Sequence, residues 1–334
     1  MKKELGIAIL LVVLCVTTAI LQPSFLMDPA NVFNMLKRIS MFGIFGIGLG
    51  MVIITGGIDL SVGAVFALQG VLLCMMLNEG RWPWPVAIAA SIAGVMVLGV
   101  FHGFLVTKMK LQSFIVTLCG LLIYRGLARS ITHDRTEGLG PYEYGWLYKI
   151  AAGKVHLFGR YDIPSAFFVL LGVMVVMWVV LHWSIYGRYL YAVGRNEEAA
   201  RYSGIRTKLV IGSAYVLSLL LAGISGVIFV FDVRSISPAN FGISYELYGI
   251  AAAVLGGCSL QGGEGSILGI VLGTALMQVL LNMVQLLGIP STWELTVMGS
   301  VILLGVMFDQ FLKTRKKKAV VVEKAAVVAV GGGV

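Results

Sequence analysis

Gly56-Gly57-Ile58-Asp59-Leu60-Ser61-Val62-Gly63 lies in the middle of an apolar run from about Ile39 to Leu77. One helix crossing a bilayer takes roughly 20 residues, and this run is nearly twice that. Its one charged side chain is Asp59, set where two glycines and a serine interrupt the helical pattern. A carboxylate in hydrocarbon costs about 3 kcal/mol on insertion scales, so it faces protein or a watery cavity. A glycine-broken helix at membrane depth is tolerated under the same restriction. The pattern points to a transport path rather than an anchor.

Composition agrees. Of 334 residues 58% are apolar and 12% charged, with mean hydropathy +0.93, which excludes a soluble domain of this size. The apolar runs lack the alternation of outer-membrane barrels, so the spans are helical. The net charge of +9 reads as topology rather than nucleic-acid binding, because the basic residues sit in short segments between spans. Cys15, Cys74, Cys119 and Cys258 have no paired spacing and read as small packing residues. His102, His133, His156 and His182 form no metal-ligand pattern, so no metal is expected. Met1-Lys2-Lys3 with the apolar run to Leu21 reads as a first membrane helix, not a signal peptide.

Hydropathy gives ten approximate spans: Leu5–Leu21, Ile39–Thr55, Leu60–Leu77, Val86–Val106, Phe114–Arg129, Ser165–His182, Leu209–Phe231, Leu247–Gly257, Ser266–Leu287 and Trp293–Leu312. An even number puts both termini on one side. With Lys2 and Lys3 inside, 15 basic residues fall inside and 10 outside, and the outside group is spread over longer loops, notably about Ser130–Pro164. This favours cytoplasmic termini. Gly46–Gly50 and Gly269–Gly273 are small-xxx-small pairs, read as packing within one bundle. Residues 1–312 form one transmembrane domain, and the Lys-rich, then Ala/Val/Gly-rich tail 313–334 reads as disordered or lying on the inner leaflet.

Three segments carry chemistry. The break around Asp59 is either a turn in which Asp59 or Ser61 caps the next helix or a gate presenting helix ends to a polar solute. Asn196-Glu197-Glu198-Ala199-Ala200-Arg201-Tyr202-Ser203-Gly204 reads as a short surface helix. Asn196 caps it, the two glutamates suit its positive end, Arg201 suits the other and Gly204 stops it. It is too short to stand alone, so it is either packed on its own bundle or docked into a partner. Gly256-Gly257-Cys258-Ser259-Leu260-Gln261-Gly262-Gly263-Glu264-Gly265-Ser266 has no Gly-Lys-Ser/Thr ending, and no phosphate-loop motif occurs in the chain; it reads as a flexible turn. Asn282 is among the few polar residues inside a span, and no nucleophile–base arrangement suggests catalysis.

From about Asn31 to Asp309 the chain resembles the membrane permeases of ribose-type ABC sugar importers, a group with xylose and autoinducer-2 permeases. Four segments carry the resemblance: Gly56 to Gly63; Ser113-Phe114-Ile115-Val116-Thr117-Leu118 with Tyr124-Arg125-Gly126; Val193 to Arg201; and Tyr245-Glu246-Leu247 through Gly263. Tyr248, Glu264, Met283, Gln285 and Gln112 depart from the usual pattern, which leaves the substrate open. The resemblance implies two permease copies (identical or closely paralogous), two cytoplasmic ATPase subunits holding ATP and magnesium, and a periplasmic sugar-binding protein. It also implies that Gly194, Asn196, Glu197, Glu198, Ala199, Arg201 and Gly204 form the helix that contacts the ATPase.

The resulting expectation is an all-α polytopic inner-membrane helix bundle of about ten spans. It would import a monosaccharide, ribose or a similar pentose, by alternating access, with no cofactor of its own and no hydrolytic activity. Gly56, Gly57, Asp59, Ser61 and Asn282 are the candidate path residues. The rivals are a stand-alone proton- or ion-coupled carrier using Asp59 and, less favoured, a membrane-embedded enzyme.

Overall fold

The computed structural model describes residues 2–78, 81–140, 144–158, 161–293, 295–300, 303 and 307. Helices carry most of residues 2–287: α1 (Lys2–Leu21), α2 (Ser24–Met27), α3 (Pro29–Ile54), α4 (Val62–Leu77), α5 (Trp84–Thr107), α6 (Ser113–Thr132), α7 (Gly145–Ala152), α8 (Ser165–His182), α9 (Ile185–Arg195), α10 (Glu197–Tyr202), α11 (Thr207–Val233), α12 (Tyr245–Leu255) and α13 (Ile267–Leu286). Helices stand at nine of the ten expected spans. Seven are long and apolar enough to cross a membrane, while α4 and α12 are shorter. Most of the tenth span, and the tail 313–334, lie outside the described residues. Beyond Leu287 a separate unit begins at Gly288, with one tight turn at Ser291–Trp293.

Two bounds differ from the hydropathy reading for a physical reason. The helix expected from Ile39 starts at Pro29, where Asp28 caps it by accepting from Ala30 N at 2.9 Å with proline in the first turn. Lys37 and Arg38 are therefore helical, not loop; hydropathy does not register the polar turns of a span. Likewise the long loop 130–164 holds local structure. Strand β1 (Glu137–Gly138) pairs antiparallel with β4 (Ser235–Ile236), and β2 (Lys154–Phe158) forms a hairpin with β3 (Tyr161–Pro164). In that hairpin the Lys154 ammonium, 3.0 Å away, and His156 hold the Asp162 carboxyl below its usual range.

The core is central and the lipid-facing shell is legible from burial. The apolar stretch of α3 is 89% buried, that of α1 only 6%. α11 and α13 are mostly buried, whereas α5, α6 and α8 expose most of their length. Apolar side chains facing lipid lose nothing by exposure, so close contact selects small residues. Gly46 and Gly50 of α3 face Ile270 of α13; Gly269 and Gly273 of α13 face Gly256 and Ala252 beside α12; an alanine Cβ at Gly103 of α5 would stand 2.8 Å from Gly212 of α11. These pairs pack inside one chain. None of the four cysteines is in a disulfide.

α4 and α12 are half-helices whose N-termini meet inside the bundle. Gly63, at the start of α4, touches Gly242 and Glu246, which lead into and open α12. From there the two helices diverge. α4 ends beside Leu139 and Tyr144, where Tyr144 Oη donates to Leu77 O at 2.8 Å. α12 ends where Gly256 packs against the first turn of α13.

Candidate functional site

The break between α3 and α4 is held by side chains from three other helices, α6, α11 and α12. α3 stops at Thr55, and Gly56 turns the chain in the left-handed region (φ +84°) that glycine adopts without strain. Ile58 is then fixed at both backbone groups: its N–H donates to Ser113 Oγ (3.3 Å), and its carbonyl accepts from Thr117 Oγ1 (3.1 Å), both on α6. An alanine Cβ at Gly57 would stand 2.7 Å from Tyr215 Oη on α11. The extended stretch thus threads a tight slot.

Asp59 and Ser61 are both fully buried. Asp59 Oδ1 accepts from Ser61 N at 3.0 Å and Ser61 Oγ at 2.6 Å, and its Oδ2 stands 3.5 Å from Ser218 Oγ of α11. The expected cap is therefore corrected. Ser61 precedes α4 but accepts no N–H, and Asp59 bonds one residue short of the helix, at Ser61. Across the junction the Glu246 carboxylate packs against Gly63 in the first turn of α4, in the space a Cβ would take.

Arg125 of α6 closes the same junction. Its guanidinium donates to Pro238 O (3.0 Å), Phe241 O and Gly63 O (3.3 Å), tying the segment before α12 to the start of α4. A planar fork with five donors suits three carbonyls in a way a lysine does not. Behind it, buried His102 of α5 bonds through Nε2 to Tyr124 Oη at 2.8 Å.

At the Ile54 end the break meets the end of α9 and the segment 262–263 largely through backbone. Gly263 N donates to Ile54 O at 2.8 Å, and Gly194 at the end of α9 packs against Ile54 O and Gly263. Gly262 (φ +84°) would, with a Cβ, stand 2.7 Å from Gly194 O and 2.9 Å from Gly56 N. Tyr191 Oη adds a bond to Gly265 O at 2.6 Å. The glycine-rich segment 256–266, expected as a flexible turn, is a close backbone approach instead. Glycine spacing alone does not distinguish the two.

The expected surface helix is α10, and a separate helix, α9, runs directly into it. Asn196 sits between them and caps α10 by accepting from Ala199 N at 2.9 Å. Glu197 accepts from Thr207 Oγ1 (3.1 Å) at the start of α11, and Ala200 is buried. Glu198, Arg201 and Tyr202 face outward, with Tyr202 83% exposed under the Arg201 guanidinium. Gly204 (φ +84°) ends the helix. Beside α10 opens a cleft of about 1060 Å³, reached by Arg188, Arg195, Ser203 and Glu264.

Of the path candidates, Gly56, Gly57, Asp59 and Ser61 share one site, and Asn282 does not. Asn282 exchanges two amide hydrogen bonds with Asn31 (2.7 and 3.1 Å), joining α13 to the first turn of α3. Arg125, Glu246, His102, Tyr215 and Ser218 escaped the residue-by-residue reading as members of this site. An ionisable group inside an apolar span is the signal that marks Arg125 and His102; nothing local marks Ser218.

Residues 31–306 match the family described as branched-chain amino acid transport system, permease component. The chain is 40% identical over 321 residues to the ribose import permease protein RbsC of Bacillus subtilis, covering 95% of this chain and 94% of that protein. It is 36% identical to RbsC of Escherichia coli K12 (92% and 94% covered). It is 32% identical to the L-arabinose transport system permease protein AraH of the same organism (94% and 92%).

Proposed function

This chain belongs to the permease family of ABC importers, as a ribose-type sugar permease subunit, and we propose that it carries ribose or a similar pentose by alternating access. It is a transport component, and ATP hydrolysis belongs to a separate subunit of the importer. The ribose relatives at 36–40% identity favour ribose over arabinose at 32%. In this proposal ATP and magnesium sit on two ATPase subunits that dock on α10, and a periplasmic sugar-binding protein delivers the sugar at the end carrying α7 and the two hairpin-like sheets. Both termini are cytoplasmic, as the distribution of basic residues favours.

A second copy, or a close paralogue, completes the path. Ile243 and Leu247 are about half exposed beside the non-helical stretch that leads into α12. Irregular backbone at membrane depth is stable only against protein or a water-filled path, which supports placing the partner copy and the path on this face.

The observation that carries the proposal is the backbone contact to the break from the end of α9, which runs through Asn196 directly into α10. A push on α10 reaches Gly194, then Ile54 O and Gly263, then the stretch ending at Gly63, with no flexible side chain between. Alternating access in broken-helix transporters works through such half-helix junctions. The test is ATP hydrolysis in proteoliposomes containing this chain with its ATPase, comparing wild type and Glu198→Lys, with and without ribose-loaded binding protein. Stimulation by the loaded binding protein that is lost in Glu198→Lys is expected. Stimulation unchanged by the substitution would remove α10 as the docking helix, and uptake driven by a proton gradient without ATPase would overturn the proposal.

A further inference from the structure

The cleft of about 1060 Å³ beside α10 combines cationic and interfacial side chains in its walls. Arg188 and Arg195 reach it from α9. At this spacing they lie on one face of the helix, about two turns apart. Both are exposed, and among the described residues neither guanidinium makes an ion pair or a hydrogen bond. The carboxylates at the cleft, Glu4 and Glu264, already interact within the protein. An anion entering the cleft therefore meets two unpaired guanidinium groups, each able to hold a phosphate through parallel N–H donors.

The other walls mark the level of the membrane surface. Trp178 and His182 border the cleft from the end of α8, a helix that exposes most of its apolar length. Trp178 packs on Trp183 with ring centroids 5.5 Å apart, and Trp183 is 72% exposed. Exposed tryptophans at the end of an apolar span sit among lipid headgroups. α9 continues that level. It buries Gly187, Leu190 and Val193 and exposes Ile185 and Tyr189 beside Arg188, the pattern of a helix lying in the interface. Glu4 borders the cleft from α1, the least buried of the long spans. The cleft thus lies between two exposed membrane helices, at the depth where phospholipids carry their phosphates.

We propose that this cleft holds the headgroup of an anionic phospholipid, with its phosphate on Arg188 and Arg195 and its acyl chains along α8 past Trp178. Basic pockets between membrane helices recognise such headgroups. The place of Arg195 gives the bound lipid a consequence. Its stem packs on Gly263, where a Cβ would stand 2.5 Å from Arg195 Cγ, and the preceding Gly194 touches Ile54 O. The lipid therefore anchors the corner between α9 and α10 beside the joint to the break.

The site is tested by native mass spectrometry of the purified full-length chain in mild detergent, with phosphatidylglycerol or phosphatidylcholine of the same acyl chains. The measurement needs neither sugar nor transport, so it is independent of the transport proposal. Retention of phosphatidylglycerol over phosphatidylcholine is expected, lowered at least about tenfold by Arg188→Gln with Arg195→Gln. Arg188→Gln alone, at an exposed position, should give an intermediate loss and serves if the double variant does not fold. Arg206→Gln with Lys208→Gln removes the same charge at the start of α11, outside the cleft, and should leave retention unchanged. An equal loss there would mean diffuse surface attraction and overturn the site. Displacement by glycerol phosphate would make the ligand a soluble phosphate, and release of the lipid on adding the ATPase would assign the cleft to protein docking; either overturns the lipid site.

Discussion

At the level of single residues, backbone approach decides which substitutions matter. Gly63 has no room for a Cβ, because Glu246 and Gly242 O already occupy that space. Overpacking of this kind costs about 1–3 kcal/mol, so Gly63→Ala should lower the thermal midpoint of the purified protein by several degrees. Gly94, also in a helix but with nothing within 4 Å, should accept alanine with no loss, which makes it the control. Arg125→Lys keeps the charge but not the three-carbonyl fork; it should reduce maximal ribose uptake at least about tenfold, the loss of roughly 1.4 kcal/mol, while the protein still reaches the membrane in normal amount. The burial of Asp59 against protein was legible from one carboxylate in an apolar run. Its partners were not, because Ser218 lies 159 residues further along the chain and a lone serine in a span carries no signal.

At the level of elements, local rules worked where the causes are local. The Asn196 cap, the glutamates of the first turn and the Gly204 stop are contained in nine consecutive residues, and α10 forms as they dictate. Asn196→Ala should cost about 1 kcal/mol of helix stability, seen as faster amide exchange confined to α10 and weaker ATPase stimulation. The half-helices were less legible. An apolar segment of 11 residues such as α12 is ambiguous by length alone, and only the opposing N-termini of α4 and α12 explain why each is short. The segment 256–266 shows the same limit, since its glycines answer to Gly56 and Gly194 rather than to each other.

At the level of the whole molecule, α1, α5, α6 and α8 expose most of their apolar length, and the second copy proposed above would sit on the face beside Ile243 and Leu247. Leu247→Cys, in a chain with its four native cysteines replaced by serine, should cross-link into a covalent dimer with a short bifunctional reagent. A cysteine placed instead at Val97 on α5, 65% exposed, should not. The overall bundle was legible because hydropathy registers each long span separately; the partner-facing side was not, because apolar surface facing lipid and apolar surface facing protein have the same composition. The junction at Gly63 also bears on how such a protein is made. Its seals, Arg125, Ser218 and Glu246, emerge from the ribosome long after the break itself has entered the membrane. During that interval the nascent chain holds an open polar seam in the bilayer, so a translation arrest before α12 should leave a fragment that membrane quality-control proteases clear quickly, and an arrest just after it should not.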